Sequence, residues 1–126
     1  MTTSSRANEL NELLNELKSN NPDIEAASIV TTDGLPIASS LPPGVNEDRV
    51  AAMTAAILAL AEKAINELKR GEFQEVYIRG SNGLLLVINA GIEALLTIVA
   101  RRDAKLGLVL LDARRVAKRV SELLGG

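Results

Sequence analysis

Apolar residues recur at helical spacing from Ser5 to Ser19, where Ala7, Leu10, Leu13, Leu14 and Leu17 are set among Glu9, Glu12, Glu16 and Lys18. One apolar stripe against a charged face predicts an amphipathic helix. Ser4 or Ser5 is the candidate cap, and Asn20-Asn21-Pro22 ends the helix, since the residue before proline avoids helical angles. The next run, Ile24 to Thr31, is rich in β-branched residues and predicts a strand. Thr32-Asp33-Gly34 then turns the chain into a second short strand, Leu35 to Ser39. Asp-Gly between apolar runs is a strong hairpin signal, so Asp33 is read as a turn residue and not as an isolated catalytic or cation-binding carboxylate.

Leu41-Pro42-Pro43-Gly44 is a loop, after which Asn46 reads as a helix N-cap with Glu47 and Asp48 in the first turn. Carboxylates there complement the helix dipole, whereas two adjacent acids without a third ligand make a poor cation cage. The helix that follows is predicted to run to about Lys69, roughly 23 residues and 35 Å, before Arg70-Gly71 closes it. Val50, Met53, Ile57, Leu60, Ala64 and Leu68 fall in one sector and form its predicted core stripe. On the other side of the first half lie Ala51, Ala52, Ala55, Ala56 and Ala59, with charge returning only at Glu62, Lys63, Asn66 and Glu67. Alanine is also the best helix former, which is the plain explanation of such a run. Five alanines with no charge among them exceed what propensity requires, and a domain this small has little material to cover two sides of one helix. The second cover is therefore expected from another chain.

From Phe73 the pattern is strand-like: Phe73 to Arg79, the turn Gly80-Ser81-Asn82-Gly83, Leu84 to Asn89, a turn at Ala90-Gly91, and Leu95 to Ala100. The last two strands are apolar on both faces, as inner strands covered on two sides are. The Phe73 strand, diluted by Glu72, Gln74, Glu75 and Arg79, reads as an edge. After a charged turn at Arg101 to Lys105, a final helix from Leu106 to Leu124 places Val109, Ala113, Val116, Val120 and Leu123 opposite Arg114, Arg115, Lys118 and Arg119. The order α-β-β-α-β-β-β-α predicts a three-layer α/β/α sandwich. In it the first and last helices share one face of a five-stranded antiparallel sheet and the long helix covers the other.

The chain of 126 residues suits one domain, taken as residues 1–126. With 0 Cys and 0 His, zinc sites, thiolate nucleophiles, disulfides and Ser-His-Asp triads are excluded by inventory. Gly80-Ser81-Asn82-Gly83 lacks the lysine and spacing of a phosphate loop, and no cofactor or metal site is expected. Two aromatic residues and a net charge of −2 argue against nucleic acid. Charge is unevenly spread: residues 1–100 hold 7 basic and 13 acidic groups, residues 101–126 hold 7 and 3. The basic end is read as the solvated face of the last helix, the other reading being an acidic partner. No apolar run follows a positive N-terminal segment, and the stretch from Val50 to Ala61 is short of the about 20 residues of a membrane span. A cytoplasmic protein without membrane insertion is the expectation.

Taken jointly, the segments IEAASIVTTDGLPIASS, VYIRGSNGLLLVINAG, ALLTIVA and LGLVLLDARRVAKRV, with the alanine-rich long helix, resemble the Roadblock (dynein light-chain) family and its MglB-type prokaryotic relatives. The resemblance covers roughly Ala7 to Leu123 and implies a profilin-like, non-enzymatic module. It also implies homodimers, or heterodimers with a paralogue, joined by the central strand edge and the long helices. The candidate dimer residues are then Ala51, Ala52, Ala55, Ala56 and Ala59 on the helix and Phe73, Glu75, Tyr77 and Arg79 on the edge strand. Such dimers regulate small Ras-like GTPases, for which Ala55, Ala59, Glu62 and Lys63 are the candidate contact patch. The alternative is a structural scaffold subunit in a motor or trafficking complex, without effect on GTP hydrolysis. A small-molecule sensor is a third reading, unsupported by any convergent polar cluster.

Overall fold

The computed structural model describes residues 3–125. Helix α1 (Thr3–Asn20) leads into the hairpin β1 (Ile24–Thr31) and β2 (Pro36–Ser40), then helix α2 (Glu47–Glu67). The meander β3 (Glu75–Gly80), β4 (Gly83–Asn89) and β5 (Ala94–Arg101) follows, and helix α3 (Leu106–Leu123) closes the chain. The predicted element order holds. Helix α1 is already formed at Thr3, so Ser4 and Ser5 lie within it and its cap position falls outside the described residues.

The strands form one antiparallel sheet in the order β2-β1-β5-β4-β3, so β5 returns to pair with β1 at the centre and β3 is an edge. Alternation along the strands sends the larger apolar set to one face. There Ile29, Leu86, Leu96 and Ile98 pack beneath Leu10, Leu14 and Leu17 of α1 and Val109, Ala113, Val116 and Val120 of α3. Asn21 Nδ2 donates to Asp112 Oδ2 at 3.0 Å and ties the end of α1 to α3. The other face is smaller: Val30, Val87 and Leu95 pack with Ala51, Leu58 and Phe73 beneath α2.

The predicted strand limits shift by one or two residues, and two of the shifts matter. Phe73 is not in β3; it sits in the connection before it, 7% exposed beneath α2. The β3–β4 hairpin pairs Gly80 with Gly83, leaving Ser81 and Asn82 as the two-residue turn. A Cβ on Gly83 would lie 2.8 Å from the Ala100 carbonyl oxygen, so glycine is required for that approach of β4 to β5.

Candidate functional site: the outer face of the long helix and the open sheet edge

Asn46 caps α2 as predicted, its side chain accepting from Arg49 N at 3.0 Å, with Glu47 and Asp48 in the first turn. The rotation of the helix differs from the sequence reading. The residues turned to the sheet are Ala51, Thr54 and Leu58, all buried, with Ala61 and Ile65 half-buried behind them. Of the predicted core stripe, Met53, Leu60, Ala64 and Leu68 are exposed, while Val50 and Ile57 are half-buried flanks. The helix is turned by about 100°, one residue's rotation, from the orientation its bulkiest side chains suggested.

Two contacts explain that rotation. Thr54 Oγ1 bonds the Val50 carbonyl at 2.8 Å and meets Thr97 Oγ1 of β5 at 2.8 Å, a polar pair sealed inside the α2 interface. At the β1–β2 turn, Gly34 takes φ +97°, and a Cβ there would be 3.5 Å from Ala55 Cβ and 3.8 Å from the Ala51 carbonyl. Ala55 is thus small because the chain's own hairpin turn lies against it, while the Ala51 side chain packs into the core beneath the helix. Ala51 is 0% exposed and is removed from the candidate interface; Ala55 is half-buried. Phe73, under α2, is removed for the same reason.

The remaining candidates separate into two groups. Ala52, Ala56, Ala59, Glu62 and Lys63 are exposed along the outer side of α2. Glu75, Tyr77 and Arg79 point to the opposite sheet face, towards α3, as their register partners Ile88, Leu86 and Leu84 do. Glu75 is held there by Arg114, whose guanidinium is pushed above its ordinary pKa by the hydrogen bond and charge of that carboxylate.

The sequence reading missed the sheet residues on the α2 side. Ala26, Val99, Leu85 and Ile78 lie in register across four strands and run to the open edge, and α2 leaves the outer part uncovered. Val99 is 36% and Ile78 46% exposed. Between this row and the exposed Met53 of α2 lies an apolar groove of about 220 Å³, floored by Ser28 and Thr97. The alternation of β3, with Val76 and Ile78 apolar, carried the signal for Ile78.

A second cleft of about 840 Å³, at the end of the sheet between α2 and α3, is lined by Glu62, Glu72, Arg114 and Lys118. Its charged residues are of both signs, and Arg114 is already paired with Glu75, which also lines it. Among the described residues no group of three or more His, Cys, Asp or Glu is placed to hold a metal ion, and no helix is long and apolar enough to cross a membrane.

These layers define a small α/β/α module of the profilin-like class; Acanthamoeba castellanii profilin IB superposes with a TM-score of 0.64 at 14% identity, over 90% of this chain and 97% of the profilin, a likeness of fold alone. Residues 9–100 match the Roadblock/LC7 domain, and the chain belongs to that family. Two uncharacterized proteins of Methanocaldococcus jannaschii are each 32% identical over 100 residues, 79% of this chain and 87% of the relative. A solved MglB with a tetrameric arrangement superposes with a TM-score of 0.87 at 25% identity, covering 94% of this chain and 89% of that one.

Proposed function

We propose that the chain forms a dimer through the β3 edge and α2, and that the dimer is a non-enzymatic adaptor or regulator of a small Ras-like GTPase. The observation that supports it most directly is the apolar row Val99–Leu85–Ile78, which opens to solvent outwards from the buried Ala26, beside the exposed apolar side of α2. A second copy placed edge to edge at β3 extends the sheet and lays its own α2 beside the first, covering both.

The outer side of α2 has room for two uses because its residues project in two directions. Met53 lines the groove beside the open row, and Leu60 (70% exposed), two turns further along the same side of the helix, suits the second copy with it. Ala52, Ala56, Ala59, Glu62 and Lys63 lie further round the helix and suit the GTPase. Ala55 is half-buried against the hairpin turn and contributes little to either.

The test is light scattering on the intact chain and on Ile78→Glu and Leu60→Glu, followed by GTP hydrolysis with a Ras-like GTPase encoded beside it. Dimer loss in both variants, with altered hydrolysis by the native chain, is the expected result. Stable binding without change in hydrolysis or nucleotide exchange favours the scaffold reading. A monodisperse monomer at high concentration overturns the proposal.

A further inference from the structure

The backbone pattern of β3 restricts how a second copy can add to that edge. The Asn89 N–H donates to the Gln74 carbonyl at 3.0 Å, so position 74 turns its backbone groups to the neighbouring strand. Antiparallel ladders alternate between pairs that exchange hydrogen bonds and pairs that do not. The register from Glu75↔Ile88 to Gly80↔Gly83 is unbroken and carries that alternation along the strand. Val76, Ile78 and Gly80 therefore turn their backbone groups to β4. Glu75, Tyr77 and Arg79 turn theirs to the open edge, and it is their side chains that project on the α3 face.

Two charges at this edge are incompletely used. Glu75 holds Arg114 through Oε1, while its Oε2 has no hydrogen-bond partner among the described residues. The Glu75 side chain is still 18% exposed, so a second cation can approach it. Arg79 is exposed, and no ion pair engages it among the described residues.

We propose that the two copies pair along β3 in a single register, with Tyr77 opposite Tyr77 at the two-fold axis and Glu75 opposite Arg79 on either side of it. This inference rests on the β3 dimer of the proposed function and specifies its partner. In that register positions 75, 77 and 79 of one copy meet 79, 77 and 75 of the other, so every outward N–H and C=O finds a counterpart. On the α2 face Val76 meets Ile78, apolar against apolar. On the α3 face the half-used carboxylate meets the unpaired guanidinium, twice. The segment Glu75-Val76-Tyr77-Ile78-Arg79 is complementary to its own reverse.

Other registers lose these contacts. A slip of one residue sets outward backbone groups against inward ones. A slip of two places Glu75 opposite Ser81, or Arg79 opposite Phe73, which parts the charges and runs the ladder past the ends of β3. Because the strand is matched to itself, the partner it selects is a second copy of this chain and not a paralogue with a different edge.

The experiment has two arms, both on the full chain. In the first, sedimentation equilibrium gives the dimer dissociation constant of the native protein, of Arg79→Glu, of Glu75→Arg, and of a one-to-one mixture of the two variants. Each variant alone sets like charges opposite one another at both ends of the ladder, and a weakening of about tenfold or more is expected. The mixture, in which glutamate faces arginine at both ends, is expected to recover the native constant. Arg79 is exposed, so unchanged thermal unfolding of Arg79→Glu is expected, and that variant carries this arm alone if Glu75→Arg, which faces Arg114, is unstable.

In the second arm the absence of native thiols, 0 Cys, makes Val76→Cys, Tyr77→Cys and Ile78→Cys single-site probes, oxidised with copper phenanthroline in air. Directly opposite residues that exchange hydrogen bonds are about 5.5 Å apart at Cα, within reach of a disulfide, whereas residues offset by two lie beyond its limit of about 7 Å. Rapid formation of a covalent dimer is therefore expected from Tyr77→Cys and not from the other two. Cross-linking at 76 or 78 in place of 77, or indifference of the dimer to Arg79→Glu, overturns the register and leaves the dimer itself standing, provided that Ile78→Glu abolishes it. A native monomer overturns both.

Discussion

Thr54 and Thr97, 43 residues apart in the chain, meet through their hydroxyls at 2.8 Å inside the interface of α2 with the sheet. The two side chains are 0% and 2% exposed. Thr54 also bonds the Val50 carbonyl, so its hydroxyl keeps one partner if Thr97 is lost, whereas Thr97 has no such second partner. Thr54→Val is therefore expected to destabilise by about 1–3 kcal/mol, by leaving a buried hydroxyl unsatisfied. Thr97→Val is expected to cost less, and the double variant to lie close to native. Urea unfolding of all four proteins measures the coupling, and additive costs would count against the pair as the element that orients α2.

Ser28 faces the same layer, opposite Thr97 in the β1–β5 register, and its buried Oγ has no partner among the described residues. Ser28→Ala removes a desolvated hydroxyl without removing a hydrogen bond. The expected effect is neutral or stabilising by up to about 1 kcal/mol, read as a higher urea midpoint at unchanged slope.

Close backbone approaches give expected losses of the same size. Gly83→Ala forces a Cβ to 2.8 Å from the Ala100 carbonyl, and Gly34→Ala places a side chain at φ +97°. Losses of about 1–3 kcal/mol are expected for each. Ala55→Leu, which overpacks the contact with the Gly34 turn, is expected to cost about 1–3 kcal/mol, while Ala59→Leu on the exposed side is expected to be silent. Thermal unfolding of the pair checks the corrected rotation of α2; silence at Ala55 as well as Ala59 would restore the original stripe.

Asp103, in the turn before α3, is held below its ordinary value of 3.8 by a backbone hydrogen bond and then by Arg101. A carboxyl with a depressed folded pKa contributes stability above its unfolded value, and that contribution is lost as pH falls through the folded value. The Asp103 carboxyl is therefore expected to titrate below 3.8 by NMR, and to move upward in Arg101→Ala. No movement would assign the shift to the backbone alone.

Most of the fold was legible in the chain because it rests on local rules. Asn46 with Glu47 and Asp48 marked the start of α2, Asp33-Gly34 the first hairpin, and doubly apolar β4 and β5 the centre of a sheet covered on both faces. The weak polarity of α2 was equally visible. Hydrophobicity could not say which of its sides meets the sheet, since Met53, Ile57 and Leu60 form as convincing a stripe as Thr54, Leu58 and Ala61. In isolation the bulkier stripe wins, and that choice assigned Ala51 to the wrong side.

The sequence by itself determined the elements, their order and the excess of apolar surface on α2, because periodicity, capping and turn chemistry act over a few residues. Only the tertiary structure decided how α2 is turned and what it leaves open. Those outcomes depend on where Gly34 and Thr97 arrive from distant parts of the chain, and on a sheet whose row from Ala26 to Ile78 extends beyond the width of one helix.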